Sequence, residues 1–396
     1  MIDASIVLRS LVGQPLVTLQ GRRNTVLRVA SGEAVVATSR SPQGRPVPVA
    51  WLQPVLDRIG VGETVTLDTA SVGHRSSFLT AVLEALPQVV VSGTPPSARL
   101  DPSVTVSDSV LRELERRLGM YAELLDRGGP NHVAPNILRN LRIYRGGSGV
   151  WADASRTRNV GGAPAVTVSV LHTGRRYPDE LSDDALVYHY PSTARPSGRD
   201  ASEVAATKAA ATLRLPVFVV LHQLSLRTVR KGWVATWDDA ERIFLIEFGA
   251  TATSVDRGDE VDNRPFELFE DKQTTLREVR GRPNQQRFKV QVVQRYGGQC
   301  AICPVGAAEL ITAAHLVPHA DGGTSDPRNG IPLCANHHTA LDRGLIAIDP
   351  QSSSIVVAAT YDEKALNVTY PDLTHLRAQP ATEALQYRWD RRMEER

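Results

Sequence analysis

The sequence predicts a multidomain protein of the α+β class. Three observations support this prediction: a length of 396 residues, a succession of short apolar runs with strand or helix spacing, and polar stretches that separate these runs. One hydrophobic core rarely serves a chain of this length, so several domains are expected. We predict domains at residues 1–97, 104–252 and 286–396, with a linker at residues 253–285.

Residues 1–97 have the pattern of a small α/β domain. Apolar runs at Thr25–Val29, Glu33–Thr38 and Glu63–Leu67 predict strands. Val49–Ile59 and Ser76–Ala85 have the apolar spacing of helices. The mixture of short strands and helices indicates one small domain with both kinds of element.

Residues 104–252 have the pattern of a curved β-sheet domain. Ser92–Pro102, rich in Ser, Pro and Gly, predicts a linker in front of it. Residues 109–127 carry Leu, Met and Tyr on one face and predict an amphipathic helix. A helical run at Ala201–Leu213 interrupts short β-like runs, which are Ala165–Leu171, Leu186–Tyr190, Val217–Leu221, Gly232–Thr236 and Arg242–Phe248. These runs favour a curved sheet or partial barrel.

Composition narrows the class of protein. A hydrophobic content of 42% and a charged content of 22% are typical of a globular protein, and we expect a bacterial cytoplasmic location without membrane partners. No apolar run approaches the roughly 20 residues that span a bilayer, and the N-terminus lacks the pattern of a signal peptide. The net charge of +2 does not by itself indicate nucleic acid. Its basic residues are mostly Arg, which suits phosphate and guanine edges, although a GC-rich genome would produce the same bias.

The three cysteines of the chain lie within one segment, from Cys300 to Cys334. Cys300 and Cys303 form a C-x2-C pair, and Cys334 with His337 forms a C-x2-H pair. Together they make a Cys3His set with the spacing of a closed, structural zinc site. The alternative is three buried free cysteines.

A second group of polar residues is interleaved with the first. His315 follows the apolar run Leu310–Ala314, which places it where a strand opens into a loop. His338 and Asp342 are four residues apart in a helix-compatible stretch, so both would face one side of a helix and could hold a divalent cation. An imidazole such as that of His315 suits a general base at neutral pH. The alternative for His315 is an ordinary buried histidine.

Residues 286–370 resemble an HNH nuclease of the ββα-metal class. The resemblance lies in QRFKVQVVQRYGGQCAIC, AAHLVPHADGG, the Asn of PRNGIPL, and CANHHTALDRGLIAIDP. It implies that His315 is the general base, that Asn329 fixes the loop, that His338 binds the catalytic metal, and that Asp342 is a further residue on the metal side. It also implies a catalytic Mg²⁺, Mn²⁺ or other divalent transition metal beside the structural zinc.

Ala314 departs from the pattern of this family, in which many members have a metal-binding His or Asp immediately before the base. The cation would then have fewer protein ligands here. His319 is a candidate replacement ligand or phosphate contact.

The middle segment resembles the SRA domain of the PUA superfamily. The stretches DALVYHYPSTARPSGRD, ATKAAATLRLPVFVV and KGWVATWDDAERIFLIEF carry the resemblance. SRA domains flip a modified cytosine into a pocket, stack it on aromatic rings and recognise its edge. The resemblance implies a base-binding role for Tyr177, Asp179, Tyr188, Tyr190 and Trp233, and the alternative is that the aromatic residues among them serve packing.

The stretch VPVAWLQPVLDRIGVGETVTLDTASVGHRSSF resembles the N-terminal DNA-binding domain of McrA-like endonucleases. It implies that a loop with His74, Arg75 and Ser76, together with Arg40 and Arg45, meets the DNA backbone. A solvated loop is the alternative.

The whole chain is thus similar to a modification-dependent, type IV-like restriction endonuclease of the McrA-like or SRA-HNH kind. We predict hydrolysis of double-stranded DNA that carries 5-methylcytosine or 5-hydroxymethylcytosine. One HNH site nicks one strand, so a homodimer is expected, with the helix at 109–127 as a candidate dimer element. Two alternatives stay open: a modified-DNA-binding protein with a catalytically weak HNH zinc module, and a sequence-directed nuclease of a mobile element.

Overall fold

The computed structural model describes residues 2–73, 75–102, 107–174, 180–192, 198–223, 225–249, 265–269 and 285–394. It divides into two compact units, the first formed by Met1–Trp237 with Arg242–Ser254 and the second by Asp238–Glu241 with Val255–Arg396. Helices and strands are mixed in both units, as the α+β prediction requires. The predicted linker at 253–285 lies almost entirely outside the described residues.

The first unit begins with a four-stranded antiparallel sheet. Its strands, in the order β1-β2-β3-β4, are Pro15–Val17, Arg23–Ala30, Glu33–Thr38 and Ser41–Pro48. Val26, Ala34 and Val36 are buried on one face of the sheet, as alternation along a strand requires. Helix α1 (Ala4–Ser10) precedes the sheet and is capped by Asp3, whose side chain accepts hydrogen bonds from two backbone N–H groups.

A second, three-stranded sheet follows in the order β5-β7-β6. Its strands and the neighbouring helices are α2 (Gln53–Gly60), β5 (Val65–Thr66), α3 (Thr69–Val72), α4 (Ser76–Glu84), β6 (Val89–Ser92) and β7 (Ser97–Leu100). The prediction of a linker at Ser92–Pro102 was wrong, because this stretch is a hairpin turn and its return strand. Ala98 is fully buried on the sheet, so the apolar residues around the Gly and Pro residues decide the structure.

The middle of the first unit is a seven-stranded sheet in the order β10-β11-β14-β13-β12-β9-β8. Its elements are α5 (Asp108–Asp126), α6 (Pro135–Asn140), β8 (Val150–Trp151), α7 (Ala154–Thr157), β9 (Ser169–His172), β10 (Glu180–Leu181), β11 (Ala185–His189), α8 (Arg199–Thr212), β12 (Val217–Gln223), β13 (Leu226–Asp238) and β14 (Ile243–Phe248). Strands β9 and β12 are parallel, and the others pair antiparallel. The predicted helices and most of the predicted strands of this segment are present.

One buried ion pair ties helix α5 to this sheet. Arg117 is fully buried, its Nε donates to Glu113 Oε1 at 2.7 Å, and its Nη1 donates to the carbonyls of Thr167 and Pro216 at 2.7 Å each. Pro216 directly precedes β12, and Thr167 lies two residues before β9, the strand parallel to it. One hydrophobic core of this unit includes residues from Ile2 to Ile246, so the segments predicted as two upstream domains share it. The boundary near residues 97–104 lies inside this unit and stays a prediction.

The second unit is small and built around a hairpin followed by a helix. Its elements are α9 (Gln285–Tyr296), β15 (Ile311–His315), β16 (Gly330–Cys334), α10 (Ala335–Asp342), β17 (Ile346–Ile348), β18 (Ile355–Val357) and α11 (Thr382–Glu394). The three cysteines belong to its hydrophobic core. None of the helices in the described part of the chain has the length and apolar character that a membrane crossing requires.

Candidate active site and metal centre

Strands β15 and β16 and helix α10 bring the predicted site residues together. The strands pair antiparallel, with Ile311 opposite Cys334 and His315 opposite Gly330. Cys334 ends β16 and is also the residue that caps α10. His315 therefore lies at the end of the hairpin where the loop begins, and Cys334 and His337 lie at the turn into the helix.

Cys300, Cys303, Cys334 and His337 form one buried cluster, whose ligand atoms all lie within 4.8 Å of one another. His337 Nδ1 is 3.4 Å from Cys300 Sγ and 3.3 Å from Cys334 Sγ, and the Sγ atoms of Cys303 and Cys334 are 4.0 Å apart. A tetrahedral zinc ion, with Zn–S of about 2.3 Å and Zn–N of about 2.0 Å, would set these edges near 3.5 and 3.8 Å. These three distances are close to the tetrahedral edges, so the cluster could hold a zinc ion.

The surroundings of the cluster favour a metal ion over free thiols. His337 Nε2 donates to the carbonyl of Leu366 at 2.9 Å, which leaves Nδ1 unprotonated and directed at the sulfurs. Burial, together with the neighbouring Cys300 and Cys334, raises the pKa of Cys303 to about 12 when no cation is near. A divalent cation reverses that cost, because thiolates are its ligands.

His315 is held in place by an aromatic ring. Its imidazole stacks on Phe288 of α9, with 3.8 Å between ring centroids and 9° between planes. Gly330, opposite His315 in the ladder, makes room, since a Cβ there would lie 2.4 Å from Phe288 Cζ. Burial, together with the nearby His319 and His338, lowers the pKa of His315 to about 4. The imidazole is thus neutral at neutral pH and able to accept a proton.

Asn329 closes the loop that follows His315. It is fully buried; its Oδ1 accepts from the N–H of Val317 at 2.8 Å, and its Nδ2 donates to the carbonyls of Val317 and Thr324. The Gly-Gly turn fits inside this loop because Gly322 has a φ of +81° and a Cβ on Gly323 would lie 2.1 Å from the carbonyl oxygen of Val317. The loop and the strand end that holds His315 therefore have one fixed shape.

His338 and Asp342 face each other on the exposed side of α10. His338 Nε2 lies 3.5 Å from Asp342 Oδ2. Two ligands about 2.1 Å from one ion, at angles of about 90–110°, are about 3.0–3.4 Å apart, so the pair fits a divalent cation with a small adjustment. The other carboxylate oxygen, Oδ1, accepts from Arg388 of α11 at 2.9 Å. One carboxylate oxygen of Asp342 is thus hydrogen-bonded to Arg388, and the other faces His338.

Ala314 and His319 differ in their surroundings. Ala314 is fully buried in the core of the unit and supplies no ligand. His319 is exposed at the start of a short 3-10 turn, His319–Asp321, and is close enough to affect the pKa of His315. A role for His319 as a metal ligand or phosphate contact stays a prediction.

The predicted base-binding residues lie in the first unit. Tyr188, Tyr190 and Trp233 are all buried in or beside the seven-stranded sheet, and the Nε1 of Trp233 donates to the carbonyl of Gly249 at 3.3 Å. Tyr177 and Asp179 lie outside the described residues, as does His74 of the N-terminal loop. The base-binding role of the four aromatic residues and Asp179 stays a prediction.

Three residues of the site were missed by the sequence reasoning: Phe288, Thr312 and Arg388. Phe288 stacks on His315, Thr312 contacts His338, and Arg388 contacts Asp342. Phe288 lies in the helix that precedes the cysteines, and its spacing from Val292 and Tyr296 could have indicated a buried helix face. Arg388 is more than 40 residues away in sequence, and no local signal relates it to the site.

Residues 300–349 match the family HNH_2, described as HNH endonuclease. The segment holds both clusters described above. It is an HNH endonuclease domain. The protein is accordingly a DNA endonuclease, and the interpretation of its C-terminal part as an HNH nuclease is confirmed.

Solved structures with weak similarity include two restriction endonucleases. The structure titled "Modification dependent TagI restriction endonuclease" is 16% identical with a TM-score of 0.27, and the match covers 66% of this chain and 90% of that one. The "Type IV phosphorothioation-dependent restriction endonuclease ScoMcrA" is 12% identical with a TM-score of 0.23, over 99% of this chain and 95% of that one. No curated protein matched the sequence.

We predict that Cys300→Ser and His337→Ala each release about one equivalent of zinc. The melting temperature of the second unit should fall on the order of 10 °C, because a structural metal contributes folding free energy directly. Zinc content by elemental analysis and thermal unfolding measure the two effects. His375→Ala is the matched control, since His375 is an exposed histidine of the same unit. Unchanged zinc content in both cluster variants would contradict the structural zinc site.

Proposed function

We propose that the protein is a modification-dependent restriction endonuclease that hydrolyses double-stranded DNA carrying modified cytosine. The observation that supports the catalytic half is the arrangement of one HNH domain: a neutral imidazole at a strand end, and a His–Asp pair on the adjoining helix at 3.5 Å. A base and a cation pair at one hairpin are what metal-assisted attack of water on a phosphodiester needs.

In the proposed reaction His315 accepts a proton from the attacking water. A pKa of about 4 makes it a weak base in the free protein, but a DNA phosphate placed beside it would raise that pKa by Coulombic attraction. Phe288 and the loop fixed by Asn329 hold the imidazole in one orientation. A divalent cation on His338 and Asp342 would stabilise the charge that develops on the phosphate and leaving oxygen.

Two different ions are proposed for the two clusters. The closed, thiolate-rich Cys3His set suits Zn²⁺, which prefers sulfur and nitrogen ligands in a tetrahedron. The open pair His338 and Asp342 suits Mg²⁺, Mn²⁺ or another divalent transition metal, because it leaves positions for water and phosphate. His319 is the candidate for a third contact on this side.

Recognition of modified cytosine is proposed for the middle segment of the first unit. The stretches that resemble an SRA domain contribute β11, α8 and strands β12 to β14 of one sheet. Of the candidate pocket residues, Tyr188, Tyr190 and Trp233 are buried and would form the floor under a flipped base rather than its exposed rim. Tyr177 and Asp179, between β9 and β10 in sequence, are the candidates for direct contact.

The four-stranded sheet is proposed to contact the DNA backbone. Between residues 15 and 48 it carries one acidic residue, Glu33, and five arginines. All five are exposed, and none of their guanidinium groups has a partner among the described residues; they are Arg22, Arg23, Arg28, Arg40 and Arg45. Arg22 and Arg40 lie in the two hairpin turns at the same end of the sheet. Unpaired guanidinium groups on adjacent turns suit phosphates.

A homodimer is proposed because one HNH site cuts one strand. Helix α5 is a poor dimer element, since Leu114, Leu118 and Leu124 of its apolar face are buried in its own unit. The proposal therefore rests on the need for two sites and not on this helix.

Cleavage should depend on modification. We expect plasmids with 5-methylcytosine or 5-hydroxymethylcytosine to be cut, and unmodified plasmid to stay intact, with Mg²⁺, Mn²⁺, Co²⁺ or Ni²⁺ tested in turn on gels. A phosphorothioated plasmid belongs in the same panel. Equal cutting of every plasmid would reject the modification reader. Selective binding without cutting under any metal would instead favour a modified-DNA-binding protein with a weak HNH module, the alternative that Ala314 raises.

His315→Ala should reduce cleavage by about 10²–10⁴-fold, because the general base is removed, and it should leave DNA binding unchanged. Cleavage rates and fluorescence anisotropy on the same modified duplex measure both. His375→Ala serves as control, because this exposed histidine of the same unit has its hydrogen bond with Asp372 and its ring contact with Tyr370, away from the site residues. Retained cleavage would remove His315 as the base.

Replacing Arg22 and Arg40 together by Gln should weaken binding to unmodified duplex and reduce the slope of log K against log salt by about 2, one unit for each lost phosphate contact. The matched control replaces Arg58 and Arg127, exposed arginines already paired with Glu63 and Glu123. Anisotropy titrations at several salt concentrations measure the slope. Equal slopes in both double variants would exclude the sheet as a DNA surface.

A further inference from the structure

Thr312 lies on β15, three residues before His315, and faces helix α10. Its Oγ1 is 2.8 Å from Nδ1 of His338 and 3.2 Å from the carbonyl oxygen of Leu333 on the paired strand β16. The hydroxyl thus lies between the carbonyl of Leu333, which can only accept a hydrogen bond, and Nδ1 of His338.

The hydroxyl has one proton to donate, and the carbonyl of Leu333 lies within reach to accept it. The oxygen of Thr312 then accepts a hydrogen bond from Nδ1–H of His338. A neutral imidazole carries one proton, so Nε2 retains its lone pair. Nε2 is the nitrogen that lies 3.5 Å from Asp342 Oδ2, where an ion held by both residues would be.

We propose that Thr312 is a positioning residue of the divalent-cation site: its hydroxyl fixes His338 in the Nδ1–H tautomer that leaves Nε2 free for the ion. The inference rests on the proposed role of His338 and Asp342 as the cation pair. It follows a general pattern in which a metal-binding histidine donates its other N–H to an oxygen that orients the ring.

The orientation of His338 depends on Thr312 because the cation site has few protein ligands. Because Ala314 offers no ligand, the cation pair consists of two side chains, and Asp342 also accepts from Arg388. His338 is about one-third exposed, with a side-chain exposure of 31%, so packing alone does not hold its ring. The hydrogen bond that Nδ1–H of His338 donates to Thr312 on strand β15 supplies the missing orientation.

The test compares Thr312→Val with Thr312→Ser in the full-length, zinc-loaded protein. Val keeps the branched shape and removes the hydroxyl, whereas Ser keeps the hydroxyl. Mn²⁺ binding, followed by loss of the free-ion electron paramagnetic resonance signal, should weaken about 10–100-fold in Thr312→Val and stay near the wild-type value in Thr312→Ser. Thr339→Val is the matched control, because the hydroxyl of Thr339 on the same helix donates to the carbonyl of Ala335 and, within the described part of the chain, to no residue of the site.

A second readout needs no metal and no activity. In ¹⁵N spectra of the protein at neutral pH, His338 should show a protonated Nδ1 and an unprotonated Nε2, assigned by comparison with His338→Ala. In Thr312→Val the two nitrogens should shift toward a mixture of tautomers. A protonated Nε2 in the wild type, or equal Mn²⁺ affinity in wild type and Thr312→Val, would overturn the inference.

The cation pair and the role of Thr312 are tested separately. If His338→Ala binds Mn²⁺ as tightly as the wild type, then the proposed cation pair is wrong. If His338→Ala loses Mn²⁺ while Thr312→Val retains it, then the cation pair stands and only the role of Thr312 is rejected. Equal weakening in Thr312→Ser and Thr312→Val would also reject the role of the hydroxyl.

Discussion

The second unit depends on the junction between strand β16 and helix α10. Cys334 ends the strand and is the N-cap residue of the helix. His337 belongs to the buried Cys3His cluster, and the next residue, His338, forms the cation pair with Asp342. The helix begins where a metal ion would fix both Cys334 and His337. A metal at the buried cluster would therefore hold the first turn of α10 against the hairpin, and with it the next residue, His338.

In this arrangement the residues that stabilise the fold, in the buried cluster, lie only a few positions from the residues of the open cation pair. The three buried cysteines belong to the hydrophobic core of the unit, and the thiolates they would become are tolerable only beside a cation. The open pair stays at the surface, where water and phosphate have access. The strand end with His315 is stiffened independently, by the ring of Phe288 and by the hydrogen bonds of Asn329. His315 and His338 are thus held by different contacts: Phe288 and the loop of Asn329 hold His315, whereas the junction at Cys334 holds the helix that carries His338.

Much of the second unit could be predicted because its determinants are local. The spacings of Cys300 to Cys303 and of Cys334 to His337, and the position of His315 after an apolar run, all act over a few residues. The hairpin at Ser92–Pro102 was mistaken for a linker because Gly and Pro residues dominate its composition, whereas Ala98 decides its place by burial. Arg117 was equally hidden: only the folded chain brings it to the carbonyls of Thr167 and Pro216.

The sequence by itself determined which four residues form the buried Cys3His cluster, and it placed a histidine at a strand end and an i, i+4 pair on a helix. Spacing along one strand or one helix fixes which side chains share a face. Only the tertiary structure decided what surrounds them. Phe288 on His315, Thr312 on His338 and Arg388 on Asp342 come from separate elements, and contacts between elements follow from packing and not from periodicity. Packing also decided that Tyr188 and Trp233 are core residues, since burial depends on the neighbours that a sheet acquires when it folds.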